Sequence, residues 1–70
     1  MTKIRIERVD LEEGWVVFKA GEPAPPPENL PYYLHDAFQG WLRRNKELSI
    51  RTALPIVASG NTVAIHVWFD

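Results

Sequence analysis

Residues 62–69, Thr-Val-Ala-Ile-His-Val-Trp-Phe, are almost continuously apolar, and this run constrains the fold more than any other feature of the sequence. It is far shorter than the ~20 residues needed to cross a bilayer. Its β-branched and aromatic side chains are typical of a strand. Because such a strand is apolar on both faces, it must be covered on both faces. We therefore expect it in the centre of a sheet, with another layer on each side.

A second apolar run, residues 50–58, precedes it, and the loop Ser59-Gly60-Asn61 separates the two. A short loop containing glycine between two strand-like runs predicts a β-hairpin. Pro55 lies within residues 50–58, and proline cannot donate to a ladder of hydrogen bonds. We therefore expect residues 50–58 to form an edge strand or to carry a bulge.

The N-terminal half predicts a second hairpin. Residues 3–9 alternate charged and aliphatic side chains, which is the pattern of a half-buried strand. Residues 10–14 predict a turn, in which Gly14 is free to adopt a positive φ. Residues 15–20, Trp-Val-Val-Phe-Lys-Ala, predict the strand that pairs with residues 3–9.

Residues 21–31 separate this hairpin from the rest of the chain and are rich in proline. Proline restricts φ and removes the amide donor, so the segment should be extended. We interpret it as a stiff connection from a strand to a helix. An alternative is a ligand for an SH3 or WW domain, although the flanking arginine and regular spacing of such ligands are missing.

Residues 30–48 carry the helical pattern, with Asn29 as the candidate N-cap and Pro31 in the first turn. The apolar residues recur every three or four positions and form one stripe. The stripe consists of Leu30, Leu34, Ala37, Phe38, Trp41, Leu42 and Leu48. Gly40 within it costs about 1 kcal/mol relative to alanine. This cost suggests a close backbone approach at Gly40, either to the sheet or to a partner helix.

These elements predict a single α+β domain over residues 1–70, with the order ββαββ and one helix packed on one face of a four-stranded sheet. With a right-handed crossover, the strand order 2-1-4-3 would place the first and fourth strands side by side and parallel. This element order resembles the β-grasp topology, without any shared motif. An antiparallel meander with a packed helix is the alternative.

The size of the chain makes a monomer marginal. The chain has 70 residues, a mass of 8.1 kDa and no cysteine, so no disulfide, thiolate-bound metal or thiol chemistry is available. Burial contributes about 108 kcal/mol if about 60% of roughly 7,200 Å² of buried surface is apolar. Ordering the chain costs about 105 kcal/mol. Because the two terms nearly cancel, self-association is the obvious source of further burial.

Charge and hydropathy narrow the compartment and the partners. The net charge is −1, so the chain lacks the global basic field of a nucleic-acid-binding or lipid-binding protein. The N-terminal residues alternate charged and aliphatic side chains, which is unlike a secretory signal. We expect a cytoplasmic protein that does not associate with a membrane.

Period-two alternation divides the sheet residues between two faces. The face covered by the helix should consist of Ile4, Ile6, Val16, Phe18, Leu54, Ile56, Val63, Ile65, Val67 and Phe69. The other face should consist of Trp15, Val17, Ala53, Val57, Ala64, His66 and Trp68, with a rim of Lys3, Arg5, Lys19 and Arg51. Monomers rarely expose an apolar patch of that size.

Three kinds of partner could cover the apolar patch on the face away from the helix: another protein chain, the proline-rich segment folded back, or the stacked bases of a nucleic acid. We predict the first, in the form of a homodimer, with a further protein partner as a variant. The predicted contact residues are Trp15, Val17, Val57, His66 and Trp68. The predicted function is that of a non-enzymatic protein-interaction module that binds no cofactor.

The alternative function is a small nucleic-acid-binding protein. It would combine the Trp15, His66 and Trp68 face with a basic cluster for phosphate or an acidic partner. The cluster consists of Arg43, Arg44, Lys46 and Arg51. The simpler interpretation of these cations is a solvated helix C-terminus that complements the helix dipole.

No motif predicts catalysis. His66 lies alone between Ile65 and Val67, and neither histidine has the spacing of a zinc site. A triad of Ser49 or Ser59 with His66 and Asp70 can be assembled only on paper, because no nucleophile elbow accompanies it. We therefore expect no catalytic, metal or cofactor site.

Overall fold

A computed structural model describes residues 4–70, so the predicted rim residue Lys3 lies outside the described residues. Within that range, one helix packs against a sheet of four strands. The elements are β1 (Ile6–Glu12), β2 (Trp15–Ala20), α1 (Leu30–Arg44), β3 (Ile50–Ala58) and β4 (Asn61–Phe69). The predicted α+β class and ββαββ order are confirmed. No helix among residues 4–70 is long and apolar enough to cross a membrane.

The strand order is β1-β2-β4-β3, and each neighbouring pair is antiparallel. The predicted order 2-1-4-3, with the first and fourth strands parallel, is wrong. Strands β2 and β4 are both apolar on both faces, so the lowest-energy arrangement buries both in the centre. The charged strand β1 and the proline-containing strand β3 are left at the edges, as Pro55 predicted for β3.

The connection through α1 follows from this order. Strands β2 and β3 are both antiparallel to β4 and therefore run parallel to each other. Parallel strands need a crossover, which the proline-rich segment and α1 provide. Strand β4 then returns between the two strands that the crossover joins.

The core lies between α1 and the central strands. Its buried members are Val16, Phe18, Leu30, Leu34, Trp41 and Val67. The ring of Trp41 meets Phe18 and Phe69 edge-on, with centroids 5.8 and 5.3 Å apart. Leu34 and Trp41 are fully buried, whereas Phe38 and Leu42 keep part of their surface exposed. The predicted apolar stripe therefore faces the sheet.

The helix is shorter than the predicted range 30–48 because Asn45 ends it. The Asn45 side-chain Nδ2 donates to the Trp41 carbonyl oxygen at 2.8 Å, and its backbone N–H donates to that of Leu42 at 3.1 Å. Leu48 packs against the core from the loop that follows, so it continues the apolar pattern without continuing the helix. At the other end, Asn29 occupies the N-cap position without a side-chain cap hydrogen bond.

Two glycines differ in what they do. A Cβ on Gly40 would meet only the tips of Arg44 and Arg43, at 3.5 and 3.9 Å, so the close backbone approach predicted there is absent. Gly14 has φ +84°, and a Cβ on it would lie 2.7 Å from the carbonyl oxygen of Phe69. The Phe69 N–H donates to the Gly14 carbonyl at 2.8 Å, so the β1–β2 turn is held against the end of β4.

The β3–β4 turn is tighter than the predicted three-residue loop. Ser59 and Gly60 have φ of 53° and 80°, the pair of positive values that a two-residue type I′ turn requires. Strand β4 therefore begins at Asn61. Strand β1 begins and ends three residues later than the predicted range 3–9, and a bulge interrupts it between Asp10 and Glu12.

A second bulge changes which residues of β3 share a face. Ile50 pairs with Phe69 but Thr52 pairs with Trp68, so Arg51 is the extra residue. A shift of one residue moves every following side chain to the opposite face. Leu54 and Ile56 therefore lie on the face opposite α1 and Ala53 lies on the α1 side, so these three predicted placements are wrong. A further register shift between Ile56 and Val57 interrupts the ladder, so the predicted Val57 does not continue the row of Leu54 and Ile56.

Candidate interaction surface

The sheet face opposite α1 is called here the open face. Residues directly opposite each other in an antiparallel ladder share a face, so the pairings define its members. Its apolar members and His66 are Val9, Trp15, Val17, Leu54, Ile56, Ala64, His66 and Trp68, and the polar partners of the two tryptophans, Glu12 and Thr52, end the same face. Lys19 and Glu7 pair beside them and form a charged margin towards β1. The apolar part of the open face therefore extends from β2 across β4 to β3.

Three rings form an aromatic cluster on the open face: Trp15, His66 and Trp68. Trp15 and Trp68 are ladder partners, and their rings stack with centroids 5.3 Å apart and planes 15° from parallel. The His66 ring lies 5.7 Å from Trp15 and 5.9 Å from Trp68. The Trp15 Nε1–H donates to His66 Nδ1 at 3.3 Å. This bond ties the His66 ring to Trp15 through Nδ1.

The aromatic cluster shelters part of the open face. Val17 pairs with His66 on one side and Val9 on the other, and it is only 7% exposed. Trp15, His66 and Trp68 are each partly buried. Four predicted contact residues are thus brought together, but Val17 lies beneath the rings and offers a partner little surface.

Strand β3 carries the most exposed apolar side chains of the sheet. Leu54, Ile56 and Val57 are 50%, 41% and 62% exposed. The helix contacts β1, β2 and β4 but makes no comparable contact with β3. Val57, the fifth predicted contact residue, pairs with Thr62 near the end of this strand. The uncovered apolar surface therefore lies more on β3 than the sequence indicated.

The proline-rich segment does not cover this part of the surface. Its backbone bonds to the far side of the sheet, where the Arg5 N–H donates to the Pro23 carbonyl at 3.0 Å and the Gly21 N–H donates to the Arg5 carbonyl at 2.8 Å. It then joins α1 through the Asn29 N–H, which donates to the Pro26 carbonyl at 2.9 Å. The segment thus extends the β1–β2 hairpin, and Leu54, Ile56 and Val57 stay exposed.

The predicted basic cluster is divided. Arg43 and Arg44 lie in the last turn of α1 and Lys46 just beyond it, all exposed. Arg51 instead pairs with Asp70 at 3.6 Å. A cleft of about 560 Å³ adjoins the end of α1, and its lining includes Asp10, Glu12 and Glu13. These carboxylates lower the positive potential around the helix end.

The serine, histidine and aspartate of the hypothetical catalytic triad do not come together. Ser59 lies in the turn before β4, whereas Asp70 follows the opposite end of that strand. There the Asp70 N–H donates to the Ser49 carbonyl at 2.8 Å, and the Asp70 carboxylate pairs with Arg51. His66 lies between Ser59 and Asp70 and is engaged by Trp15. Among residues 4–70, no three His, Asp or Glu side chains are grouped in a way that would hold a metal ion.

Comparison of the chain with protein-family models, with curated proteins and with solved structures finds no match. The function of the protein is therefore inferred from the surface of this chain alone. The sequence pattern missed Leu54 and Ile56 as members of that surface. A comparison of widths could have indicated that part of the sheet is uncovered. One helix is 10–12 Å across, whereas four strands span roughly 19 Å, so one helix cannot cover all four strands.

Proposed function

We propose that the protein is a non-enzymatic interaction module that self-associates through its open face as a homodimer. The observation that carries the proposal is the continuous apolar surface formed by the aromatic cluster, Leu54 and Ile56, which neither α1 nor the proline-rich segment covers. Two copies related by a twofold axis would place their sheets about 10 Å apart, with a helix on each outer side.

The surface area supports the proposal. The chain exposes 5039 Å², about 500 Å² more than the roughly 4,500 Å² typical of a folded monomer of 8.1 kDa. A monomer therefore buries less surface than was assumed when the free energy of burial was compared with the cost of ordering the chain. A standard interface buries about 800 Å² per partner, so dimerisation would supply burial that the monomer lacks.

The composition of the open face also suits a protein interface. Trp15 and Trp68 are of the residue type most enriched among interface hot spots. They form the end row of the apolar area, and His66 lies in the next row inward. Their stack and the bond from Trp15 to His66 hold the rings in place before binding, which reduces the entropy lost on association. Arg5, Glu7 and Lys19 would form a polar rim.

The nucleic-acid alternative is weaker because most of its cations lie away from its aromatic cluster. Arg43 and Arg44 belong to α1, whereas the aromatic cluster lies on the opposite side of the sheet. Arg51 lines a cleft beside Trp68, but it pairs with Asp70. A single strand that stacks on the cluster would not reach these arginines at the same time. Phosphate binding would also weaken steeply as salt rises, whereas apolar association would change little.

Sedimentation velocity on the wild type, Trp68→Glu and Ala64→Glu tests the proposal. We expect a dimer or larger species for the wild type and a folded, smaller species for both variants, because a carboxylate in an apolar interface would be buried without a partner. Tyr32→Glu is the matched control, since Tyr32 is on α1 and 72% exposed. Variants that stay folded and keep the wild-type mass would contradict the proposal.

A further inference from the structure

The edge of the sheet at β3 is open along its whole length. Each residue of 51–58 is exposed, and no charged residue lies between Thr52 and the end of the strand. An edge strand of this length with free backbone groups is a template for pairing with another strand. This edge is a separate surface from the open face, because it presents backbone groups in the plane of the sheet.

Pro55 indicates which backbone groups are free. Pairing with β4 stays in register from Thr52–Trp68 to Ile56–Ala64, and Pro55 lies within that stretch. Because proline has no N–H, its nitrogen must face away from β4. Backbone groups alternate in direction along a strand, so the Ala53 N–H also faces the open edge. The register shifts between Ile56 and Val57, but Ala58 and Asn61 are the facing pair that closes the two-residue turn, so the Val57 N–H again faces the open edge.

We infer that β3 pairs antiparallel with β3 of a second copy of this chain, forming one continuous sheet with four strands from each copy. This inference goes beyond the open-face dimer and does not depend on it. It adds a main-chain interface to the side-chain interface already proposed.

Charge and symmetry favour a second copy as the occupant. The strand is uncharged from Thr52 onward, so a partner strand with charged residues would lose hydration without gaining an ion pair. Another β3 has the same length and the same lack of charge. Antiparallel pairing also keeps the two copies of Arg51 at opposite ends, whereas parallel pairing would place them side by side.

The two surfaces can be used at the same time. The twofold axis of the edge pairing is perpendicular to the sheet, and that of the open-face pairing lies between the two sheets. When the two axes intersect at right angles, together they generate a closed assembly of four chains. Pro55 removes one donor from the edge, so we expect the edge contact to be the weaker one and to form at higher concentration.

Ala53→Pro tests the inference by removing one outward N–H, and Ala53→Val is the matched control that keeps it. Ala53 lies on the α1 side of the sheet and is exposed, so neither change touches the open face. Loss of about one hydrogen bond per copy should weaken the edge contact about tenfold. We expect sedimentation to show four chains for the wild type and Ala53→Val, and two chains for Ala53→Pro at the same concentration.

The variants distinguish failure of this inference from failure of the proposed function. If folded Ala53→Pro keeps the wild-type mass while Trp68→Glu lowers it, the edge pairing is wrong and the open-face dimer stands. If Ala53→Pro lowers the mass and Trp68→Glu does not, the edge pairing stands and the open-face dimer is wrong.

Hydrogen exchange on the wild type keeps the test decisive if Ala53→Pro does not fold. The amides of Ala53 and Val57 should exchange freely at low concentration and become at least about tenfold slower as the chain associates. Exchange of these two amides that is independent of concentration, in a chain that does associate, would overturn the inference.

Discussion

The two edges of the sheet are built in opposite ways. Strand β1 carries charged residues at more than half of its positions, a bulge, and an ion pair between Arg8 and Asp10 at 3.5 Å. The backbone just before it is bonded by the proline-rich segment, and α1 packs over part of it. Strand β3 carries Pro55 and the bulge at Arg51, but it has no charged residue from Thr52 onward and no helix above it.

The difference is informative because natural sheets protect exposed edges with charges, bulges, prolines or a covering element. Strand β1 has most of these features, so it ends the sheet. Strand β3 has two of them, Pro55 and the bulge at Arg51, but from Thr52 onward it has no charge and no covering element. We therefore propose that association uses the β3 side of the molecule, where the open face and the open edge meet.

The largest expected effect is the difference in unfolding free energy lost by a substitution in the core and by one on β3. Leu34→Ala should lower the free energy of unfolding by about 2–5 kcal/mol, because Leu34 is completely buried on the face of α1 that packs against the sheet. Leu54→Ala, at a half-exposed position of β3, should cost less than about 1 kcal/mol in a monomer. Chemical denaturation at low concentration measures both. Equal losses would show that β3 belongs to the core.

Giving β3 the character of β1 should weaken its pairing. Val57→Lys places a charge on an exposed position of the edge, and we expect association to weaken about tenfold. The unfolding free energy of the monomer should change by no more than about 0.5 kcal/mol. Light scattering across a concentration series measures the first effect. An unchanged association constant in Val57→Lys would mean that β3 is not at the contact.

Gly40→Ala tests whether association also uses the helix. Alanine should stabilise the fold by about 1 kcal/mol, because a Cβ there meets only flexible arginine tips. The oligomeric state should not change. Thermal unfolding and sedimentation measure the two effects, and a loss of association in Gly40→Ala would point to a helix–helix contact instead of β3.

The smallest expected effect is at the protected edge. Arg8→Ala should change the free energy of unfolding by less than about 1 kcal/mol, because the side chains of both Arg8 and Asp10 are well exposed to solvent. The change should vanish at high salt. A larger, salt-independent loss in denaturation experiments would mean that β1 contributes packing as well as charge to the edge.

Local features of this fold were predictable from the sequence. The helix stripe, both hairpins and the edge position of β3 follow from periodicity, turn residues and Pro55. Each depends on residues close in the chain. The end of the helix was missed because Leu48 packs on the core from outside the helix, and periodicity does not distinguish the two cases.

Non-local features were less accessible. Strand β4 pairs with β2, which is far from it in the sequence. The alternation of side chains along β1 and β2 marks both as strands, but it does not show which of the two lies beside β4. The face assignment of Leu54 and Ile56 depended on one extra residue, Arg51, and a single shift inverts a strand. The aromatic cluster was located on the correct face, but its shelter over Val17 depends on ring stacking that no spacing rule gives.

The central claim is that this chain associates through the β3 side of its sheet. Sedimentation equilibrium on the unmodified protein, from low to high micromolar concentration, tests it most directly. We predict a mass that rises with concentration to a multiple of 8.1 kDa and that is nearly independent of salt. A mass that stays at 8.1 kDa over the whole range would contradict the account.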